Sequence, residues 1–286
     1  MHTHAKPAAI REVVATTPGV PATDGDGVRM TRVIGSPELN MLDPFLLLDA
    51  FESDQPQDYI GGFPSHPHRR FETVTYLLAG RMRHKDNAGN EGVIEPGGVQ
   101  WMTAGRGIVH SEMPEQENGL LMGFQLWVNL PAAAKMTAPA YQEFPPRDVP
   151  LERHEDGTEV RVIAGRTSAG TVGAVRNEYV NPTYLDVTLP PDTAFDQGVD
   201  EQDNAFLFVI DGALGVGPSG ATLEARRFGV LGPGSRITAR SGAGGARFLL
   251  VSGRPLNEPV ARGGPFVMNT RKEVMQAFDD YQNNRF

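Results

Sequence analysis

Short apolar runs separated by turn residues set the rhythm of the chain. "VRMTRVIGS", "PFLLLDAF", "ETVTYLLAG", "GVIEPGG" and "GLLMGFQLWVNL" are rich in Val, Ile, Leu and Phe and lie between clusters of Gly, Pro, Asn and Asp. Runs of strand length at this spacing predict an antiparallel sandwich or barrel, so the expected fold class is all-β. From Pro131 the text changes to "PAAAKMTAPAYQEFPPRDVP". A short helical turn followed by prolines suits an extended connector, and it divides the chain into expected domains 1–145 and 146–286.

The second half repeats the grammar of the first. "YLLAG" (76–80) matches "FVIDG" (208–212), and "EPGGVQWMTAG" (95–105) matches "GPGSRITARSG" (232–242), which predicts an internal duplication. On this alignment Gly198 and Asp200 stand where His66 and His68 do, and the equivalent of His110 falls near Arg247. The second domain is therefore expected to lack metal ligands. "TRKEVMQAFDDYQ" carries Thr270 and Glu273 in a capping-box pattern ahead of Val274, Phe278 and Tyr281, which predicts one C-terminal helix covering a sheet. "GAGGAR" (242–247) lacks the ending of a phosphate loop and reads as a turn, as do "GPSG" and "GPGS".

Composition narrows the function classes. The 33 glycines and 23 prolines among 286 residues favour frequent turns over long helices. With 26 basic against 35 acidic residues the formal charge is −9, and no basic cluster is visible, so direct nucleic-acid binding is not expected. The absence of cysteine excludes disulfides, zinc-thiolate sites and thiolate nucleophiles. No apolar run is long enough for a signal-peptide core or a membrane span, which makes a soluble cytoplasmic protein the default.

Within "SHPHRRFETVTYLLAG" two histidines stand one residue apart. Alternate side chains of a strand share a face, so His66 and His68 project together with Cα atoms about 6.6 Å apart. "GRGIVHSEMPE" holds a second alternate pair, His110 and Glu112. On neighbouring strands the two pairs would converge, since opposed residues in a sheet lie roughly 5 Å apart. Pro67 lacks an N–H and belongs on an edge strand, at a strand start or at a bulge. A lone HxH is a weak signal. Three of only seven histidines joined to a carboxylate in two alternate pairs make a stronger one. His2, His4, His84 and His154 lie in a terminus or in charged loops and read as solvated.

The stretches "GGFPSHPHRRFETVTYLLAG", "GVIEPGGVQWMTAGRGIVHSEMPE" and "GPFVMNT", with "DPFLLLDAF" and "FQLWVNLP", resemble the pirin family of the cupin superfamily. The resemblance covers most of the chain. It implies a bicupin, two jelly-roll β-barrel domains with one mononuclear divalent metal in the first, held by His66, His68, His110 and Glu112. The metal is usually iron, and Fe(II) is expected here, although Ni, Cu, Co, Mn and Zn suit the same N and O donors.

The wider cupin pattern places its carboxylate ligand after HxH, at Glu72. Strand parity puts Glu72 on the side of His66 and His68, while the pirin resemblance favours Glu112 and leaves Glu72 to orient an imidazole or to pair with Arg70. Some pirins resemble quercetin 2,3-dioxygenases, which implies a small aromatic substrate and O2. Others act as regulators through protein partners, here an iron-dependent regulator of a transcription factor or metabolic enzyme. The dioxygenase reaction needs a base for the flavonol 3-hydroxyl, for which Glu112 is the candidate, and apolar walls, for which Phe63, Trp101, Met113, Phe124 and Trp127 are candidates.

Overall fold

The computed structural model describes residues 9–286, which are mostly antiparallel strand; His2 and His4 lie outside the described residues. In chain order the strands begin β1 (Val13–Thr17), β2 (Val20–Asp24), β3 (Val28–Ile34), β4 (Phe45–Ser53), β5 (Phe63–His68), β6 (Phe71–Ala79) and β7 (Met82–Asp86). Then come β8 (Glu91–Ile94), β9 (Val99–Thr103), β10 (Ile108–Pro114), β11 (Leu121–Asn129), β12 (Ala140–Phe144), β13 (Leu151–Arg153), β14 (Glu159–Ala164) and β15 (Thr183–Leu189). The rest are β16 (Ala194–Gly198), β17 (Asn204–Val216), β18 (Ala221–Glu224), β19 (Phe228–Leu231), β20 (Arg236–Gly253), β21 (Ala261–Gly263) and β22 (Phe266–Met268), followed by helix α1 (Arg271–Gln282).

The chain sorts into two compact units. One takes residues up to Pro18 with Pro150–Pro255; the other takes Gly19–Val149 with Leu256–Phe286. This division differs from a single cut at 145/146, because both ends of the chain are exchanged between the halves. The segment read as a connector also differs: Ala132–Ala134 forms a short 3-10 turn, but Ala140–Phe144 is strand β12, paired with β9. Pro139 sits just before that strand and Pro145 and Pro146 just after it, where no ladder hydrogen bond is lost.

Within the unit built on Gly19–Val149, seven strands run in the order β12-β9-β6-β11-β4-β3-β2 and four more in the order β5-β10-β7-β8. The other unit contains the order β1-β19-β17-β20-β15-β14-β13, with β16 on β20 and β18 on β17. Position by position the two orders agree. The first half of β20 pairs with β16 as β10 pairs with β5, and the second half of β17 pairs with β18 as β7 pairs with β8. The fold is all-β, a jelly-roll topology used twice.

The pairing moves one of the sequence matches. Gly80 and Gly212 take the same left-handed conformation, φ +79° and +76°, at the end of equivalent stretches, in keeping with the first match. Residues 232–242, however, run into the first half of β20, the counterpart of β10, whereas 95–105 run into β9, whose counterpart is β19. Pro-Gly turns recur at successive hairpins, so their likeness did not single out the right one. By face, the inward positions of β16 and the first half of β20 are Phe195, Gln197, Ile237 and Ala239, with no histidine among them, where β5 and β10 carry His66, His68 and His110. Arg247 lies in the later part of β20, bonded to Asp186 at 2.7 Å. "GAGGAR" is a kink inside β20, with Gly245 at φ +79°, and not a hairpin turn.

Helix α1 starts as its sequence predicts: Thr270 and Glu273 form both halves of a capping box. It packs Val274 and Ala277 on Phe266 and Met268 of the β21–β22 hairpin. Among the described residues no helix is long and apolar enough to cross a membrane.

Candidate metal centre

The site grows from the edge of the four-stranded sheet. β5 is the edge strand, which accommodates Pro67, and it pairs with β10 so that His66 lies opposite His110 and His68 opposite Ile108. Beyond His66 the register shifts, three residues of β5 matching two of β10 before Phe63 meets Glu112. That bulge at Pro64–Ser65 turns the start of β5 relative to Glu112. On its other edge β10 pairs with β7, setting Asp86 opposite His110 and His84 opposite Glu112.

The three histidines converge. Their ligand atoms all lie within 4.8 Å of one another, and ring centroids are separated by 4.5 to 5.1 Å. His66 Nδ1 is 2.8 Å from the Pro64 carbonyl, which can only accept, so Nδ1 carries the proton and Nε2 presents its lone pair. That lone pair lies 3.0 Å from His68 Nε2. His110 is 1% exposed and neither of its ring nitrogens has a hydrogen-bond partner.

Burial lowers the His110 pKa to about 4, opposed by the Glu112 charge and assisted by that of His66. Burial, then His110 and His66, hold His68 well below the usual imidazole range. Inward-facing imidazoles, two of them with orphaned buried nitrogens, are what a divalent cation requires, so the donor set fits a metal.

Glu112 stands beside this group, its Oε2 4.0 Å from His110 Nε2, and is 2% exposed. Its Oε1 is 2.8 Å from Thr75 Oγ1 and its Oε2 3.1 Å from Gln125 Nε2, while Thr75 Oγ1 and Gln125 Oε1 are 2.6 Å apart. The centre opens into a cavity of about 500 Å³ whose walls include His66, His68, Glu112, Leu47, Phe63 and Trp127. The Trp127 ring lies 5.2 Å from that of His68. Of the expected wall residues, Phe63 and Trp127 line this cavity and Trp101, Met113 and Phe124 do not. Trp101 and Phe124 are each 1% exposed and belong to the packed interior.

Three expectations change. Glu72 does not share a strand with the HxH pair, because Arg70 adopts φ +71° and breaks the chain between β5 and β6, which belong to different sheets. Parity cannot be carried across such a break. Glu72 accepts from Thr103 Oγ1 at 2.8 Å, and Arg70 pairs instead with Glu273 of α1 at 2.6 Å. His84, read as solvated from its charged neighbours, is 3% exposed and bonded to Glu143 at 2.6 Å. The missed signal is the alternation in "MRHKD", which buries Met82, His84 and Asp86 on one face.

Two family models match the chain: Pirin over residues 27–128, and the pirin C-terminal cupin domain over residues 184–286. The chain belongs to the pirin family. As a pirin it is 53% identical over 277 residues to a pirin-like protein of Caulobacter vibrioides, covering 97% of this chain and 99% of that protein. It is 48% identical over 277 residues to a Pseudomonas aeruginosa protein whose name gives quercetin 2,3-dioxygenase as a provisional activity, covering 96% and 97% of the two chains. The crystal structure of quercetin 2,3-dioxygenase from Acinetobacter baumannii superposes with a TM-score of 0.89 at 34% identity, covering 97% of this pirin and 99% of that chain. The two jelly rolls are thus the paired cupin domains of a pirin.

Proposed function

We propose that this pirin is a metal-dependent oxygenase that opens flavonols such as quercetin with O2, using one divalent ion, Fe(II), held by His66, His68, His110 and Glu112. The observation that carries the reading is the convergence of three imidazoles beside a buried carboxylate at the wall of a cavity that Leu47, Phe63 and Trp127 also line. The similarity to the Acinetobacter baumannii enzyme supports the same activity. Iron bound there would supply a Lewis-acidic, redox-active centre with positions left for substrate and O2.

The chain's own groups have separate roles. Pro64 holds His66 in the tautomer that keeps Nε2 free. Leu47, Phe63 and Trp127 exclude water and hold flat rings. Glu112 accepts the proton of the flavonol 3-hydroxyl. Its surroundings support proton uptake, because Glu112, Thr75 and Gln125 form a closed ring of contacts in which the single Thr75 proton cannot serve both acceptor oxygens. With either orientation of the Gln125 amide, each contact of the ring gains a donor and an acceptor when Glu112 holds one more proton.

The test is anaerobic purification with metal analysis, then O2 uptake and carbon monoxide release on quercetin. Wild type is expected to carry about one iron and consume quercetin. His66→Ala should lose the metal, and Glu112→Gln should lower kcat per bound iron by at least about 100-fold. Fully iron-loaded wild type that leaves quercetin untouched would refute the oxygenase reading. It would favour an iron-dependent regulator acting through a protein partner.

A further inference from the structure

One cationic side chain in the cavity wall plays no part in the chemistry assigned to the metal ligands and Glu112. Arg262 lies on β21, opposite Val267 of β22, and lines the same cavity as His66, His68 and Glu112. Among the described residues its guanidinium makes no hydrogen bond or ion pair. Arg32, the other arginine in the lining, behaves differently. It is gripped by both oxygens of Asp49, at 2.9 and 2.7 Å, and by Asp24 at 3.1 Å. Its donors are spent inside the protein, whereas those of Arg262 are free to meet a ligand.

Arg262 is also held in place. Its hairpin partner strand is fully buried, Phe266 and Val267 at 0% exposure, and Val267 N–H donates to the Arg69 carbonyl, one residue from His68. The Gly264–Pro265 turn of the hairpin lines the cavity too. Arg262 therefore sits at an exposed rim on a rigid element, and enough protein surrounds it for burial to lower its pKa below the usual arginine value. It stays charged throughout the neutral range.

Charge balance points the same way. Apart from the imidazoles, the ionisable lining comprises Asp24, Asp49 and Glu112 against Arg32 and Arg262. A divalent ion at the imidazoles brings that set to one net positive charge, which one carboxylate would neutralise.

Resting on the oxygenase reading, we propose that Arg262 is a specificity-determining residue that selects substrates bearing a carboxylate remote from the metal-binding oxygen. The planar guanidinium fork matches a carboxylate bidentately, and the rim position keeps that group away from the reacting centre while the apolar walls hold the ring between.

The test measures binding without turnover. Zinc-loaded full-length protein is titrated by quenching of tryptophan fluorescence with two acid–neutral pairs. One pair is 3-hydroxyflavone with and without a 4'-carboxylate; the other is 2-naphthoate and 2-naphthamide, which carry no flavonol chemistry. Wild type is expected to bind each acid at least about tenfold more tightly than its neutral partner. Arg262→Gln should erase that preference and leave the neutral ligands unchanged, Arg262→Lys should keep part of it, and added salt should weaken it.

Equal affinity within both pairs in wild type, no binding of any probe, or equal weakening of acid and neutral ligands in Arg262→Gln overturns the proposal. Failure of both flavonols to bind, with an Arg262-dependent preference for naphthoate, keeps the anion site and overturns the flavonol reading alone.

Discussion

His110 shows at single-residue scale how burial prepares a candidate ligand. In the unfolded chain an imidazole takes its proton near pH 6.5, whereas in the metal-free fold burial delays protonation of His110 to about pH 4. Between those values the unfolded state binds more protons than the folded one, so stability rises with pH across the window and levels off outside it. Thermal melts of metal-free protein should therefore show stability falling from pH 7 to pH 4, by roughly 3 kcal/mol from this residue. His110→Gln should flatten the profile. A profile equally steep in that variant would place the acid sensitivity elsewhere. Saturating metal, which binds neutral imidazole, should shift the same transition to lower pH.

At the scale of elements, α1 and the β21–β22 hairpin brace the strand that carries the HxH pair. Arg69, next to His68, bonds Asp280 of α1 at 2.6 Å, and this contact, with those from Gln276 and Arg285, pulls the Asp280 pKa down to about 2. Because the folded value lies below the unfolded one near 3.8, the stabilisation is complete above pH 3.8 and lost as pH falls through about 2. Asp280→Asn should raise hydrogen exchange in α1 at neutral pH, and the excess over wild type should shrink in that acid window. Thr270→Ala removes the cap and should cost about 1 kcal/mol, read from denaturant melts with unchanged slope. A loss near zero would mean that packing of Val274 and Ala277 alone holds the helix. The cap was legible because it is written within four consecutive residues. The hairpin was not, since "ARGGPFVM" carries little periodicity and its β22 strand is only three residues long.

For the molecule as a whole, the exchanged ends decide what can be cut. A fragment 1–145 would lack the hairpin and α1, and with them Arg262, Gly264 and Pro265 of the cavity wall. A fragment 146–286 would lack β1, leaving the edge of β19 open for pairing with other chains. The N-terminal piece is expected to bind metal at least about tenfold more weakly than the full chain and to melt broadly. Stoichiometric metal with a sharp melt in fragment 1–145 would show that the first barrel needs neither the hairpin nor the helix. The duplication was legible in part: the strand ending at Gly80 and its counterpart at Gly212 were matched correctly. The slip at the next turn arose because turn chemistry repeats while strand partners do not.

What the sequence alone determined is local. The two-residue period of a strand put His66 with His68 and His110 with Glu112, Pro67 marked an edge, and Thr270 with Glu273 marked a helix start. Tertiary structure decided everything that depends on residues far apart in the chain. It set the register of β5 on β10, removed Glu72 to another sheet through the left-handed turn at Arg70, buried His84, placed Arg262 in the cavity wall and exchanged the ends of the two units. The reason is physical: side-chain direction along a strand follows from adjacent dihedral angles, whereas the choice of partner strand is a competition among many similar edges, settled only when the whole core packs.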